Sequence, residues 1–260
     1  FNSGLNLNYR NGKFNLYSNY SNSIAKRANY GTIYREGDNS TQFFDMLNDQ
    51  NSHLLKVGLD VYLNDKNTLS VFTSQNSFKG APGGNINIVY ADDMSRNLMQ
   101  DFGADMDNYS QQYNFDYKLD FEKEGHNIEF EADYNTFDAD EDTFFDFTGA
   151  TPLADYEDFV DTKRDRTTLN LDYVNPLSET EKLEVGLQAI LFNTDIGYSS
   201  TGQSYNAAGN LVPTPNTLFD YSRDIYSAYV TYGKNYEKWS YQAGVRAEQV
   251  NVVADTNSVR

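Results

Sequence analysis

The chain has no cysteine and only two histidines among 260 residues. Without thiols there is neither a disulfide framework nor a thiolate metal site. It also lacks any run of about 20 consecutive apolar residues, the length that a membrane-crossing helix needs. Basic residues are scarce: 20 Lys and Arg stand against 38 Asp and Glu, a formal net charge of −18. A nucleic-acid partner requires a basic footprint, so none is expected. Phe1-Asn2-Ser3-Gly4-Leu5 has no basic start, apolar core or small-residue cleavage site, and is not read as a signal peptide. Because the chain opens almost inside its first strand, it is read as part of a longer protein.

What it has is short-range alternation. From Tyr109 to Phe121, the side chains of Tyr109, Tyr113, Phe115, Tyr117, Leu119 and Phe121 fall on one face of a strand. Gln112, Asn114, Asp116, Lys118 and Asp120 fall on the other. Ten such segments pair into five hairpins, at about 3–20, 54–77, 108–137, 166–193 and 224–250. Each hairpin closes on a tight turn, and Asn11-Gly12 is the strongest of these signals. Pro176, which has no N–H to give a ladder, falls in the fourth turn.

Between hairpins the pattern predicts polar loops of about 30 residues, at Ser21–His53, Phe78–Asp107, Phe137–Asp165 and Thr194–Arg223. Short turns on one end and long loops on the other are the signature of an outer-membrane barrel wall. The mean hydropathy of −0.69 is compatible with that, because a barrel confines its apolar residues to every second position. The 21 Tyr and 17 Phe suit a membrane–water interface. Tyr9, Phe14, Phe121, Tyr173, Tyr232 and Trp239 lie beside the tight turns, as a girdle would.

The expected fold is therefore all-β, a transmembrane antiparallel up-and-down β-barrel with about ten strands present of a larger one. The short turns are assigned to the periplasm and the long loops to the cell exterior. A soluble β-sandwich shares the alternation, but need not gather long loops at one end or carry charge along a whole strand face.

No residue is put forward as catalytic, as cofactor-binding or as a metal ligand, and no cofactor is expected. Asp116, Asp120, Glu129, Glu131 and Asp133 are read as solvated lumen groups, or as partners of Lys118 and Arg246. The acid-rich stretch 138–161 holds Asp138-Ala139-Asp140-Glu141-Asp142, but lacks the glycine and terminal glutamate of a calcium loop. It is expected to be a self-repelling, solvated loop. Ala81-Pro82-Gly83-Gly84 opens no helix, which leaves little for a phosphate. His126 sits in a tight turn and His53 follows Ser52 on opposite strand faces, so no enzyme activity is expected.

Gly4 to Leu16, with its Asn11-Gly12 turn, resembles an early barrel hairpin of TonB-dependent receptors from Bacteroidetes-type bacteria. More narrowly it resembles their outer membrane protein beta-barrel family. Leu55 to Leu69 is similar to that family's next hairpin, and Tyr241 to Glu248 resembles a later strand. The resemblance implies an outer-membrane location and a wide barrel of roughly 22 strands filled by a plug domain. It implies TonB-dependent uptake of a bulky solute such as a siderophore, glycan or peptide. The implied partners are the lipid bilayer, TonB acting through an N-terminal region outside this sequence, and an outer-membrane lipoprotein or other envelope-complex partner. The alternative is a barrel that transports nothing and serves as a scaffold or surface-binding subunit.

Overall fold

A computed structural model describes residues 1–151 and 154–259. The strands are β1 (Asn2–Asn11), β2 (Phe14–Arg35), β3 (Ser40–Asn64), β4 (Asn67–Tyr90), β5 (Leu98–Asp120) and β6 (Asn127–Gly149). They continue with β7 (Tyr156–Pro176), β8 (Glu181–Ser200), the short β9 (Gln203–Tyr205) and β10 (Leu211–Pro213), then β11 (Asn216–Asn235) and β12 (Ser240–Val259). Ten of them form one antiparallel sheet in chain order, while β9 and β10 make a separate small hairpin at one tip. The edge strands β1 and β12 do not pair with each other among the described residues.

Connections at one end are short: 12–13, 65–66, 121–126, 177–180 and 236–239. Gly12 turns the first with a φ of 54°, a left-handed conformation that glycine adopts without a steric penalty. The far end differs from the expected long loops. Its tips are residues 36–39, 91–97, 150–155 and 201–215, and most of each expected loop is strand. Only the last tip is long.

The reason lies in the alternation, which does not stop where the hairpins were expected to end. It changes phase. On β8, Leu183, Val185, Leu187, Ala189 and Leu191 share one face, opposite Lys182, Glu184 and Gln188. Farther along, Asn193 and Asp195 continue the first face, while Phe192, Ile196 and Tyr198 continue the second. β6 does the same, with Phe130, Ala132 and Tyr134 giving way to Asp138, Asp140 and Asp142. Strand geometry is indifferent to which face is apolar, so the backbone runs on for 20 to 25 residues in β2–β8, β11 and β12.

The sheet curls. The exposed residues of β5, and nearly all of those of β6, lie on the face with the apolar band, and the other face is half-buried. Leu187 and Val245 on this convex face are 53% and 72% exposed, and no hydrophobic residue is buried among those described. None of the described residues covers the band, which spans about nine or ten residues per strand, the length that a tilted strand needs to cross a bilayer. Above it the same face is mostly acidic: Asp107, Asp140 and Asp161 stand in one row, with Lys79 ion-paired to Asp107 at 2.8 Å, and Asp195, Asp220 and Asp255 in another, with Lys163 opposite Asp195. The 138–161 stretch is thus two strand ends flanking a tip, not a loop.

Rings gather where the apolar band meets the short turns. Trp239 stacks on Tyr236 at 4.2 Å, and Phe121 lies 4.2 Å from His126. Lys234 bridges to Glu181 at 2.6 Å between adjacent turns, and Lys66 pairs with Glu122. Pro82 falls inside β4, and the β4–β5 ladder skips Ala81 and Pro82 without changing register.

If lipid covers the convex band, Leu187→Arg costs about 2–4 kcal/mol on unfolding from a bilayer, while Asn193→Arg on the same strand and face changes little. Equal costs at the two positions in a urea titration from liposomes would contradict this placement of the band.

The far tips carry a second prediction. Asp38 accepts from the Ser40 hydroxyl at 2.7 Å, and Asp93 accepts from the Ser95 N–H at 3.0 Å. Hydrogen bonds from Ser40 and Ser95 hold these carboxyls below their ordinary value of 3.8. A depressed carboxyl stabilises the folded tip fully above its unfolded pKa and loses that effect as pH falls through the depressed one. Amide exchange at residues 36–40 and 93–96 should therefore accelerate below pH 3.8, before exchange in the strands does.

Candidate functional site

In an antiparallel ladder, directly opposed residues share a face, so the register can be followed from strand to strand. One row on the concave face runs Arg10, Asn15, Asp60, Ser70, Asp116, Glu131, Asn170, Gln188, Ser227, Glu248. It takes one residue from each of the ten strands, and every one is polar. The next row on the convex face runs Phe14, Val61, Leu69, Tyr117, Phe130, Leu171, Leu187, Ala228 and Ala247 from β2 to β12, with no polar side chain but the Tyr117 hydroxyl. A wall wet on one side and apolar on the other follows directly.

The polar row is hydrogen-bonded at Asn15 and Asp60 and again from Glu131 to Glu248. Asn15 donates to Asp60 at 2.9 Å. Asn114 and Asn170 donate to the two oxygens of Glu131, at 3.2 and 3.3 Å, and Gln188 donates to Asn170 at 2.9 Å. Arg246 closes the run, donating to Gln188 at 2.8 Å, to the Ser227 hydroxyl at 2.9 Å and to Glu248 at 2.6 Å. Arg246 thus pairs with Glu248 and with none of the five acids expected to use it, while Lys118 reaches one of them, Glu129, at 3.9 Å. These half-exposed pairs orient one another more than they stabilise the sheet.

Both histidines serve as hydrogen-bond partners of tyrosines. Tyr20 Oη lies 2.8 Å from His53 Nδ1 on the convex face, and His126 Nε2 lies 2.9 Å from the Tyr173 hydroxyl at the turn end. No group of three or more acidic, histidine or cysteine side chains among the described residues could hold a metal ion. Ala81-Pro82-Gly83-Gly84 is strand, far from any helix N-terminus that an anion could use.

Above the polar row, on the same face, lie features that no reading of hairpins separates from loop sequence. Arg166 pairs in register with Phe192, and Phe192 with Arg223; one row farther, Arg164 pairs with Thr194, and Thr194 with Tyr221. They fall within stretches expected to be loops or at their margins, where side-chain facing has no meaning until the strands are seen to continue.

Gly186 sits between Asp172 and Tyr229, whose hydroxyl donates to the carboxylate across it at 2.5 Å. A Cβ at position 186 would collide with the Tyr229 ring and the Asp172 carboxylate. Gly186→Val is expected to cost about 1–3 kcal/mol through this overpacking. Adding Tyr229→Ala should recover part of it, and a strictly additive double mutant in urea unfolding would refute the collision.

The sequence profile described as the outer membrane protein beta-barrel family matches residues 119–260. No functionally curated protein matches the chain. Among solved structures, the Ralstonia pickettii toluene transporter TbuX is 10% identical, with 97% of this chain and 80% of that one covered at a TM-score of 0.31. BauA, the ferric preacinetobactin receptor of Acinetobacter baumannii, is 9% identical, with 96% and 57% covered at a TM-score of 0.33. The β domain of the Bordetella autotransporter BrkA is 10% identical, with 94% and 95% covered at a TM-score of 0.20. Likeness at that level carries no argument about function. The profile, however, covers more than half of the chain, β6 to β12 entire, and the chain belongs to the outer membrane protein beta-barrel family.

Proposed function

We propose that this chain forms part of the wall of a wide outer-membrane barrel that takes up a bulky solute with energy delivered through TonB. The observation that carries the reading is the polar row crossing all ten strands on the concave face, backed by the apolar row on the convex one. A soluble sandwich would bury its apolar face against a second sheet, and here no hydrophobic residue is buried among those described. The polar face suits water and a passing solute, while long sheet extensions beyond the lipid give a solute a surface to meet first. In this reading the short turns face the periplasm and the 201–215 tip faces outward. TonB and the plug come from the family resemblance alone and belong to sequence outside this chain.

The test is genetic and does not require the solute to be identified first. The full reading frame should encode a plug domain before residue 1, and a deletion strain should lose growth on particular nutrient sources. Loss of TonB should reproduce the same growth profile. A reading frame without a plug, or unchanged uptake together with a stably co-purifying envelope partner, would overturn transport in favour of a scaffold.

A further inference from the structure

We propose that the concave face above the polar row holds a binding site for an organic anion with a flat ring and two or more acidic groups. Three arginines converge there in a chain whose formal charge is −18. Arg164 and Arg166 are alternate residues of β7, and Arg223 stands two strands away in the same row as Arg166. From strand geometry their roots form a triangle with sides of about 7 and 10 Å. All three are exposed, and none makes an ion pair or a side-chain hydrogen bond among the described residues. Asp133, in the row below Arg166, is already accepting from Gln112 at 2.7 Å and from Asn114 at 3.3 Å.

Rings supply the flat half of the site. Phe192 stands between Arg166 and Arg223 in the row, 6.1 Å from Tyr221 and with the Arg223 guanidinium 5.9 Å from its centroid. Arg164 lies 5.3 Å over Phe137 on the other side. A guanidinium beside an aromatic ring holds an aromatic anion by both parts at once, with paired N–H donors for the acid and a π face for the ring.

Thr194 lies between Arg164 and Tyr221 in the row, is only 7% exposed, and its Oγ1 is closed to water. It therefore forms floor beneath the arginines and does not itself meet the ligand.

Lipid phosphates cannot be the source of the anion. The apolar band that faces lipid is on the opposite side of the sheet, so the anion must be a solute within the barrel. The proposal deepens the uptake reading, since it rests on the concave face being a lumen wall.

The probe is 8-hydroxypyrene-1,3,6-trisulfonate, a water-soluble fluorescent trianion, titrated onto the purified full-length protein in non-ionic detergent. Saturable binding is expected, displaced by excess naphthalene trisulfonate and only weakly by inorganic sulfate. Arg166→Gln and Arg223→Gln should each weaken it by about tenfold. Absence of binding, equal competition by sulfate, or full affinity in the Arg164/Arg166/Arg223 triple Gln variant with intact circular dichroism would overturn the site. Binding that meets every expectation in a protein whose deletion affects no uptake would leave the site standing and overturn the transport reading instead.

Discussion

A sheet of ten strands with no buried apolar side chain has no core to hold it. Everything else depends on what replaces one. Within the chain, the ladder hydrogen bonds are continuous from β1 to β12 apart from the skip at Ala81–Pro82 and the small shift near Tyr62–Asn64. They satisfy the backbone, but most of their strength in water is lost to competing solvent. The convex band of Leu, Val, Phe and Tyr therefore needs a non-aqueous second layer, and lipid is the one that strands of this length suit. In hydrocarbon the same ladder bonds have no competitor. The band, the girdle of rings at the short turns and the acidic rows beyond it are successive answers to one change of solvent along the strand axis.

Much of this was legible in the residues. Gly12 turns the first hairpin, although as the first of the turn residues 12–13 with Asn11 still paired to Phe14, and the alternation from Tyr109 to Phe121 places its faces as expected. The hairpin limits near residues 137, 166, 193 and 224 mark a real boundary, although not the one expected. They are the points where the convex face turns from apolar to polar, so a search for one apolar face ends there while the strand continues. Phe192 and Asp195 show why: each breaks the pattern read up to Leu191, and only the backbone reveals that they begin its mirror image. The acid run from Asp138 was visible as charge but not as a face, because facing depends on the strand continuing. The ten-residue row and the setting of Thr194 depend on register between strands distant in sequence, which periodicity within one strand does not encode.

The two halves of the concave face divide labour. Near the short turns, acids, amides and Arg246 are bonded to one another, and little is left over for a ligand. Above them, the guanidiniums of Arg164, Arg166 and Arg223 are exposed beside rings. A satisfied network is rigid and indifferent to what passes, while an unsatisfied cluster is selective. In the proposed uptake reading, solute recognition belongs to the second kind.

The like-charged rows on the convex face have a consequence for neighbours. Asp195, Asp220 and Asp255 face one another across adjacent strands, and such a row repels itself as well as any similar surface. Two copies of this wall approaching side by side in a crowded bilayer can touch through their lipid-facing bands, but not through the belts above them. At about 0.15 M salt that repulsion fades beyond roughly 8 Å, and at lower ionic strength it reaches farther. Copies are thus wedged apart at the top and free to meet below, and packed arrays of them should splay in dilute salt.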